Sequence, residues 1–233
     1  MSQVVLTPLL ILFTLFAYLL FRHLYIKFAH PLINVVVLSA AAVICLLLLC
    51  DISYESYLPA QKIMTFLIGP ATVGLAVPLY RYRKFLVQAA PAILGSVAVG
   101  AFVAMFSASM MAVLGGLPRN VVISIMPKGV SIPFAVEVAR MYAGDPALAA
   151  AFVVATGTLG SLVGIWALNF FRIKSPMSRG LALGTVSHGQ GTALALEEGE
   201  LPGAMAGLAM ILAGILTAAM SPFMVRVLDF VMQ

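Results

Sequence analysis

Long uncharged segments dominate this sequence and leave few folds open to it. Crossing a bilayer as a helix takes about 20 consecutive, predominantly apolar residues, and 17 or 18 is near the lower limit. The strict alternation of a transmembrane barrel is absent. Only 9% of the residues are charged and 63% are hydrophobic, so the pattern predicts an all-α, polytopic membrane protein of about seven spans. The uncharged runs are 4–21, 31–50, 63–80, 85–118, 146–171, 180–196 and 201–225.

Nine of the thirteen cations fall in four short segments, and this grouping predicts how the chain is oriented. The positive-inside rule assigns such segments to the cytoplasm. We therefore predict an inner-membrane protein with its N-terminus outside and its C-terminus cytoplasmic, and with the acidic turn 197–200 outside. The first run lacks a basic segment before it and a cleavage site after it, so we expect a retained span. The nine cations are Arg22, Lys27, Arg81, Arg83, Lys84, Arg172, Lys174, Arg179 and Arg226.

Residues 118–142 do not fit a simple alternation of spans. Two apolar pieces, each too short to cross, flank Pro127-Lys128-Gly129. A re-entrant hairpin of two half-helices meeting inside the membrane fits, because irregular backbone at that depth needs protein or water around it. The alternative is one kinked span, which would reverse the orientation of everything after it.

The order of segments also suggests an inverted repeat inside one transmembrane domain, 1–233. Each unit, 31–114 and 146–225, has a plain helix, an interrupted helix and a long helix rich in small residues. Inverted repeats with interrupted helices are typical of secondary transporters, whose binding sites lie at the breaks.

Lys128 is the candidate that most favours a binding site. A cation at bilayer depth costs roughly 2.5–3.5 kcal/mol on insertion scales, so it faces a cavity or a partner. An ammonium there could neutralise an anionic substrate. Ser131 and Asn120 of the same hairpin, and the start of the second half-helix, could bind the same substrate. The alternative is a lysine that extends to the membrane surface or pairs with Glu137.

The segment SHGQGT, 187–192, is the second candidate. Ser187, His188, Gln190 and Thr192 supply hydroxyl, imidazole and amide groups where glycines favour an unwound backbone. His188 could donate a hydrogen bond to a carboxylate or carry a proton. The alternative is a histidine satisfied by neighbouring backbone.

A third break, GPATVGLAVP at 69–78, adds Thr72 to the candidate substrate-binding residues, with simple proline kinks as the alternative.

No metal site is expected, because a second His or Cys at ligand spacing is lacking. Protease and nucleotide motifs are also missing, so neither an enzyme nor a cofactor is predicted. Cys45 and Cys50 are expected to be free, buried thiols. The net charge of +5 orients the protein among lipids and does not indicate nucleic-acid binding.

Three segments resemble the LrgB/CidB family of bacterial membrane proteins: MPKGVSIPFAVEVA at 126–139, GPATVGLAVPLY at 69–80, and the long stretch 179–218 that contains SHGQGT. The family was first described as antiholin-like regulators of murein hydrolase activity. Plastid relatives are described as glycolate/glycerate transporters, and some bacterial members, with an LrgA-type small partner, as pyruvate transporters.

The resemblance implies a membrane transporter of small 2-hydroxy or 2-oxo monocarboxylates, of the glycolate, glycerate, lactate or pyruvate class, working by alternating access. The alternative is a holin/antiholin-like protein that modulates murein hydrolases and autolysis. A small LrgA/CidA-type membrane subunit is an expected partner. Homodimerisation through the glycine-rich long helices is a further expectation.

Overall fold

A computed structural model describes residues 3–28, 35–67, 70, 74 and 76–232 of the chain. Over these residues the structure is helical and contains no strand, which confirms the predicted all-α class. The chain divides into two compact units, Met1–Gly74 and Leu75–Gln233, which are described separately.

The first unit contains α1 (Gln3–Phe28), α2 (Val35–Leu49) and α3 (Tyr54–Phe66), with α1 packed against both of the others. Ser53 begins α3, because its side chain accepts a hydrogen bond from the Ser56 backbone N–H. Cys45 and Cys50 are free as predicted, but both are exposed rather than buried. Thr72 and half of the predicted break at 69–78 lie outside the described residues.

The second unit holds the remaining helices and both of the segments that the sequence singles out around Lys128 and His188. Its helices are α4 (Ala76–Arg81), α5 (Arg83–Leu114), α6 (Arg119–Ile125), α7 (Ile132–Met141), α8 (Pro146–Phe170), α9 (Pro176–Glu198) and α10 (Glu200–Val231).

Among the described residues, four helices are long and apolar enough to cross a membrane. They are Val5–Phe28, Leu86–Leu114, Pro146–Phe170 and Glu200–Val231, and Val37–Leu49 is a shorter apolar helix. A multi-pass membrane protein is therefore supported, whereas the count of seven spans is not.

Residues 119–141, here called hairpin 1, return to the face at which they begin. The Arg119 guanidinium donates to the carbonyl oxygen of Tyr142 at 3.1 Å, and the Asp145 N–H donates to Ser124 Oγ at 2.7 Å. The two ends of the segment are therefore adjacent, as the predicted re-entrant hairpin requires and a kinked span would not allow. The arms, α6 and α7, have seven and ten residues, so at about 1.5 Å per residue they reach about a third and about half of the way across a core of ~30 Å.

Residues 176–198, here called hairpin 2, also fold back, and the predicted span over 180–196 is wrong. The Arg179 guanidinium hydrogen-bonds the carboxylate of Glu198 at 2.8 Å, although they lie near opposite ends of α9. A side chain on Gly191 would overlap the carbonyl oxygen of Leu183 in the other arm. The arms 176–187 and 189–198 are antiparallel, because the backbone of His188 leaves the helix at φ 41° and ψ −124°.

The two hairpins enter the second unit from opposite ends. Arg119, at the base of hairpin 1, forms an ion pair with Asp229 in the last turn of α10. Arg81 forms an ion pair with Glu200, which begins α10 beside the base of hairpin 2. We name these ends the Arg119 face and the Arg179 face. The prediction that 197–200 lies across the membrane from Arg179 is therefore wrong, since a hairpin keeps both of its ends on one face.

Candidate functional site

The tips of the two hairpins meet beside the middle of α5. A methyl group built on Gly129, in the tip of hairpin 1, would lie 3.7 Å from both Ala104 Cβ and the carbonyl oxygen of Thr185. A methyl group on Gly100 would lie 3.1 Å from Thr185 Cγ2 in hairpin 2. Because 100–104 is the centre of the apolar span Leu86–Leu114, both breaks lie near the middle of that span. The structure thus brings together the two segments that the sequence predicts as the site.

Lys128 is half-buried in the turn that forms the tip of hairpin 1, between the buried residues Pro127 and Val130. Its backbone N–H donates to the Ile125 carbonyl oxygen at 3.1 Å, which closes the turn. No carboxylate among the described residues forms an ion pair with its ammonium group. Glu137, the predicted alternative partner, pairs with Arg140 at 2.7 Å instead.

Ser131 occupies the N-cap position of α7, and its side chain makes no capping hydrogen bond there. The first N–H groups of α7 therefore point toward the tip region without a side-chain acceptor. Asn120 lies elsewhere: it is exposed near the base of hairpin 1, and its carbonyl oxygen accepts a hydrogen bond from Ser124 Oγ. The structure does not bring Asn120 together with the tip.

His188 forms the break of hairpin 2 and is only 7% exposed. Its Nε2 lies 3.0 Å from the Val153 carbonyl oxygen in α8. A carbonyl oxygen only accepts hydrogen bonds, so Nε2 carries the hydrogen and the neutral ring presents Nδ1 as an acceptor. The Nε2 hydrogen is thus used within the protein, as the structural alternative for His188 required, and a neutral His188 has no second hydrogen to give a carboxylate.

The other polar side chains of SHGQGT have different surroundings. Thr192 Oγ1 donates to the His188 carbonyl oxygen at 2.9 Å, which ties the return arm to the break. Ser187 is buried against Gly160 of α8, where any side chain would overlap its Oγ. Gln190 Oε1 is buried and has no hydrogen-bond partner in the described part of the chain. Gln190 Oε1 is therefore free to accept a hydrogen bond from a solute.

Several residues that build this site are not identified by the sequence pattern. Gly157 and Gly160 let α8 approach the tip of hairpin 2, because a methyl group on Gly157 would lie 2.6 Å from His188 Cε1. Arg119 and Arg179 each join the two ends of their own hairpin, Arg119 through the Tyr142 carbonyl oxygen and Arg179 through Glu198. The spacing of the glycines in α8 is apparent in the sequence, whereas nothing in the sequence distinguishes the two arginines from other cations at the membrane surface.

Known proteins are similar to this chain over most of its length. The LrgB-like family pattern matches residues 14–227. The chain is 36% identical to the uncharacterized protein YwbG of Bacillus subtilis, over 91% of this chain and 94% of that protein. It is 35% identical to the uncharacterized protein YxaC of the same organism, over 97% and 98% of the two chains.

A relative with a functional name is more distant. The holin-like protein CidB of Staphylococcus aureus is 28% identical over 97% of this chain and 98% of its own length. No solved structure matches the chain. Since the family pattern covers nearly all of the sequence, including both hairpins, the chain belongs to the LrgB family of membrane proteins.

Proposed function

We propose that this protein is a membrane transporter of small 2-hydroxy or 2-oxo monocarboxylates, of the glycolate, glycerate, lactate or pyruvate class. The observation that carries the proposal is the meeting of two oppositely directed hairpins beside the middle of α5, with the half-buried Lys128 at one tip. A half-buried ammonium without an ion pair is costly in a membrane, and a bound carboxylate would supply the missing charge.

Each side chain has a separate role in this proposal. Lys128 holds the carboxylate, aided by the free N–H groups at the start of α7. Ser131 and Gln190 bind the hydroxyl or keto oxygen, because neither side chain is used in the hydrogen bonds described at the tips. His188 and Thr192 keep the break of hairpin 2 in shape, and Ser187 packs that tip onto α8.

Alternating access follows from the opposite directions of the hairpins. Hairpin 1 lies between the tips and the Arg119 face, and hairpin 2 lies between the tips and the Arg179 face. Movement of one hairpin at a time would open the site to one face only, as alternating access requires.

Uptake by protein in liposomes tests the proposal. Labelled glycolate, glycerate, lactate and pyruvate are offered separately, and at least one should accumulate faster than in protein-free liposomes. Lys128→Met should abolish this uptake, whereas Lys84→Met, which removes an exposed cation far from the tips, should not. Absence of uptake of all four solutes by folded protein would exclude the proposed class.

The names of relatives favour a second candidate function more directly than they favour transport. Proteins named holin-like CidB align over nearly the whole chain, so a holin-like role that modulates murein hydrolases and autolysis is a second proposal. A CidA/LrgA-type small membrane subunit would be its partner. Cells that produce Lys128→Met separate the two candidates: autolysis should be unchanged by the substitution if the holin-like role is independent of a carboxylate site.

The orientation that we propose differs from the one expected from the sequence. Six cations belong to the loops and helix ends of the Arg179 face, so the positive-inside rule places that face in the cytoplasm. The C-terminal end of α10 is then outside, because Asp229 pairs with Arg119 on the opposite face. The six cations are Arg81, Arg83, Lys84, Arg172, Lys174 and Arg179.

Homodimerisation stays a prediction, and the glycines of α10 do not favour it. Gly203 and Gly214 are buried against Leu196 and Phe134 of the hairpins. Their small size is therefore used within the second unit. Gly95 of α5, which is exposed with no atom near it, remains open to a second copy.

A further inference from the structure

A cavity of about 280 Å³ lies between α5 and the first arm of hairpin 2. One water molecule occupies about 30 Å³ in the liquid, so the cavity is large enough for several waters or for a small hydrated solute. Its lining includes three hydroxyl side chains, Ser96, Ser178 and Thr185, together with Gly100. None of these residues belongs to the site predicted from the sequence.

The cavity follows the first arm of hairpin 2, from near the Arg179 face toward the tips of the hairpins. Ser178 is next to Arg179 at the base of hairpin 2, and Thr185 is seven residues further along the same arm, or about 10 Å at 1.5 Å per residue. At its inner end, Thr185 lies beside Gly129, the neighbour of Lys128 in the tip of hairpin 1. The inner end of the cavity is therefore adjacent to the place where the breaks meet.

The hydroxyl groups of the lining present acceptors. Thr185 Oγ1 donates its hydrogen to the Leu181 carbonyl oxygen at 2.7 Å, and Ser96 Oγ donates to the Ile93 carbonyl oxygen at 2.9 Å. With these hydrogens committed, the oxygen lone pairs can accept hydrogen bonds from water or from a solute hydroxyl. The other side chains of the lining, Leu181, Ala182 and Val186, are apolar, so these few oxygens are the groups that would hold water in the cavity.

We propose that this cavity is the water-filled passage through which a small hydrated anion reaches Lys128 from the Arg179 face. Gly100 is the constriction of the passage, because a methyl group there would crowd Thr185 Cγ2 at 3.1 Å. The passage deepens the proposed transport function and rests on it. Its test measures thiol modification, so its failure can be distinguished from a failure to transport.

The experiment uses single cysteines in the full chain, with Cys45 and Cys50 replaced by Ala. Ser96→Cys and Thr185→Cys report the passage, and Val99→Cys, on the exposed side of α5 at the same depth, is the matched control. In lipid nanodiscs, a membrane-impermeant, anionic methanethiosulfonate should modify the passage cysteines roughly tenfold faster than Val99→Cys, because the reactive thiolate needs water. Equal rates at all three positions would overturn the proposal.

Sealed vesicles then test the direction of the passage. Lys174→Cys marks the Arg179 face and Leu117→Cys marks the Arg119 face, since both residues are exposed in loops. Thr185→Cys should be modified only from the side that modifies Lys174→Cys. Gly100→Ala should slow the modification of Gly129→Cys, in the tip beyond the constriction, and leave that of Ser178→Cys, at the outer end, unchanged. Modification of Thr185→Cys from the Leu117 side would contradict the proposed passage, while normal modification without uptake would contradict only the transport function.

Discussion

Arg179 and Glu198 form a two-pronged ion pair in which Arg179 Nε donates to Glu198 Oε2 at 2.8 Å and Nη2 donates to Oε1. The arginine also donates to the Ile173 carbonyl oxygen and to Asn169 Oδ1. Nineteen residues separate the pair along the chain, a distance of about 28 Å in a straight helix. The contact is possible only because the helix reverses at His188, and that reversal determines the face on which α10 begins.

The first prediction concerns the two faces. An epitope inserted in the loop 172–175 and one fused after Gln233 should be accessible from opposite sides of the membrane, because α10 crosses once from the base of hairpin 2. Antibody binding to sealed vesicles, before and after permeabilisation, measures this. With hairpin 2 as a full span instead, both epitopes would be accessible from the same side.

The second prediction compares the arginines at the bases of the hairpins. Arg179 and Glu198 are 13% and 22% exposed, whereas Arg119 and Asp229 are 43% and 42% exposed. Arg179→Gln should therefore lower the free energy of unfolding by about 2 kcal/mol, since it leaves a carboxylate poorly solvated. Arg119→Gln should lower it by about 1 kcal/mol or less, since water screens the pair. Thermal unfolding in one detergent compares the two variants, and a larger loss for Arg119→Gln would contradict this ranking.

Hairpin 1 could be predicted from the sequence because its break is charged. Pro127, Lys128 and Gly129 interrupt an apolar segment. The charged residues that flank it, Arg119 and Asp145, are both predicted on the same side of the membrane, so the segment between them does not cross. A cation at that depth is costly unless it faces a water-filled cavity or a partner, so Lys128 marks the break as a distinct feature.

Hairpin 2 could not be predicted in the same way. Its arms make one uncharged run that is long enough to span, and its reversal depends on contacts that the sequence does not display. These contacts are the Arg179–Glu198 pair and the close approach of Gly191 to the carbonyl oxygen of Leu183. Loop charge alone cannot distinguish a hairpin from a span, so it predicts the wrong face for the acidic turn 197–200.

The site was predicted in part for a related reason. The types of residue identify Lys128 and the SHGQGT segment as candidates. They do not show which of these side chains form hydrogen bonds within the protein and which are free to bind a solute. Thr192 and His188 looked like ligand-binding groups, whereas their hydrogen bonds hold the break together. Asn120 is near Lys128 in sequence and far along the arm in the structure, because hairpin 1 places it at the base.

The third prediction concerns the contact between α8 and the tip of hairpin 2. Gly160→Ala should destabilise the protein by about 1–3 kcal/mol, because the new methyl group overlaps Ser187 Oγ and forces the tip away. Gly95→Ala is the matched control: its methyl group meets no atom within 4 Å, and alanine favours a helix by about 0.5–1 kcal/mol over glycine. Thermal unfolding should therefore shift in opposite directions in the two variants. Equal stability of Gly160→Ala and the unmodified protein would show that the tip does not rest on α8.

The fourth prediction uses the backbone of His188. A side chain at φ 41° and ψ −124° is strained by about 1–3 kcal/mol, and glycine removes this strain. His188→Gly and His188→Ala both lose the hydrogen bond to Val153, so their difference reports the backbone alone. We expect His188→Gly to be the more stable by about 1 kcal/mol, the reverse of the order in a regular helix.

An alanine–glycine pair in the first arm of hairpin 2 is the control for this order of stability. Ala182 lies in the regular helix of the first arm, six residues before His188, and Ala182→Gly should lose about 1 kcal/mol because glycine is the poorer helix former there. Thermal unfolding of the three variants in one detergent gives both comparisons. At position 182 alanine should be more stable than glycine by about 1 kcal/mol. If His188→Ala exceeded His188→Gly in stability by the same amount, residue 188 would be helical. Residues 176–198 would then form a continuous helix, and the inward passage ending at Thr185 would have no hairpin tip to reach.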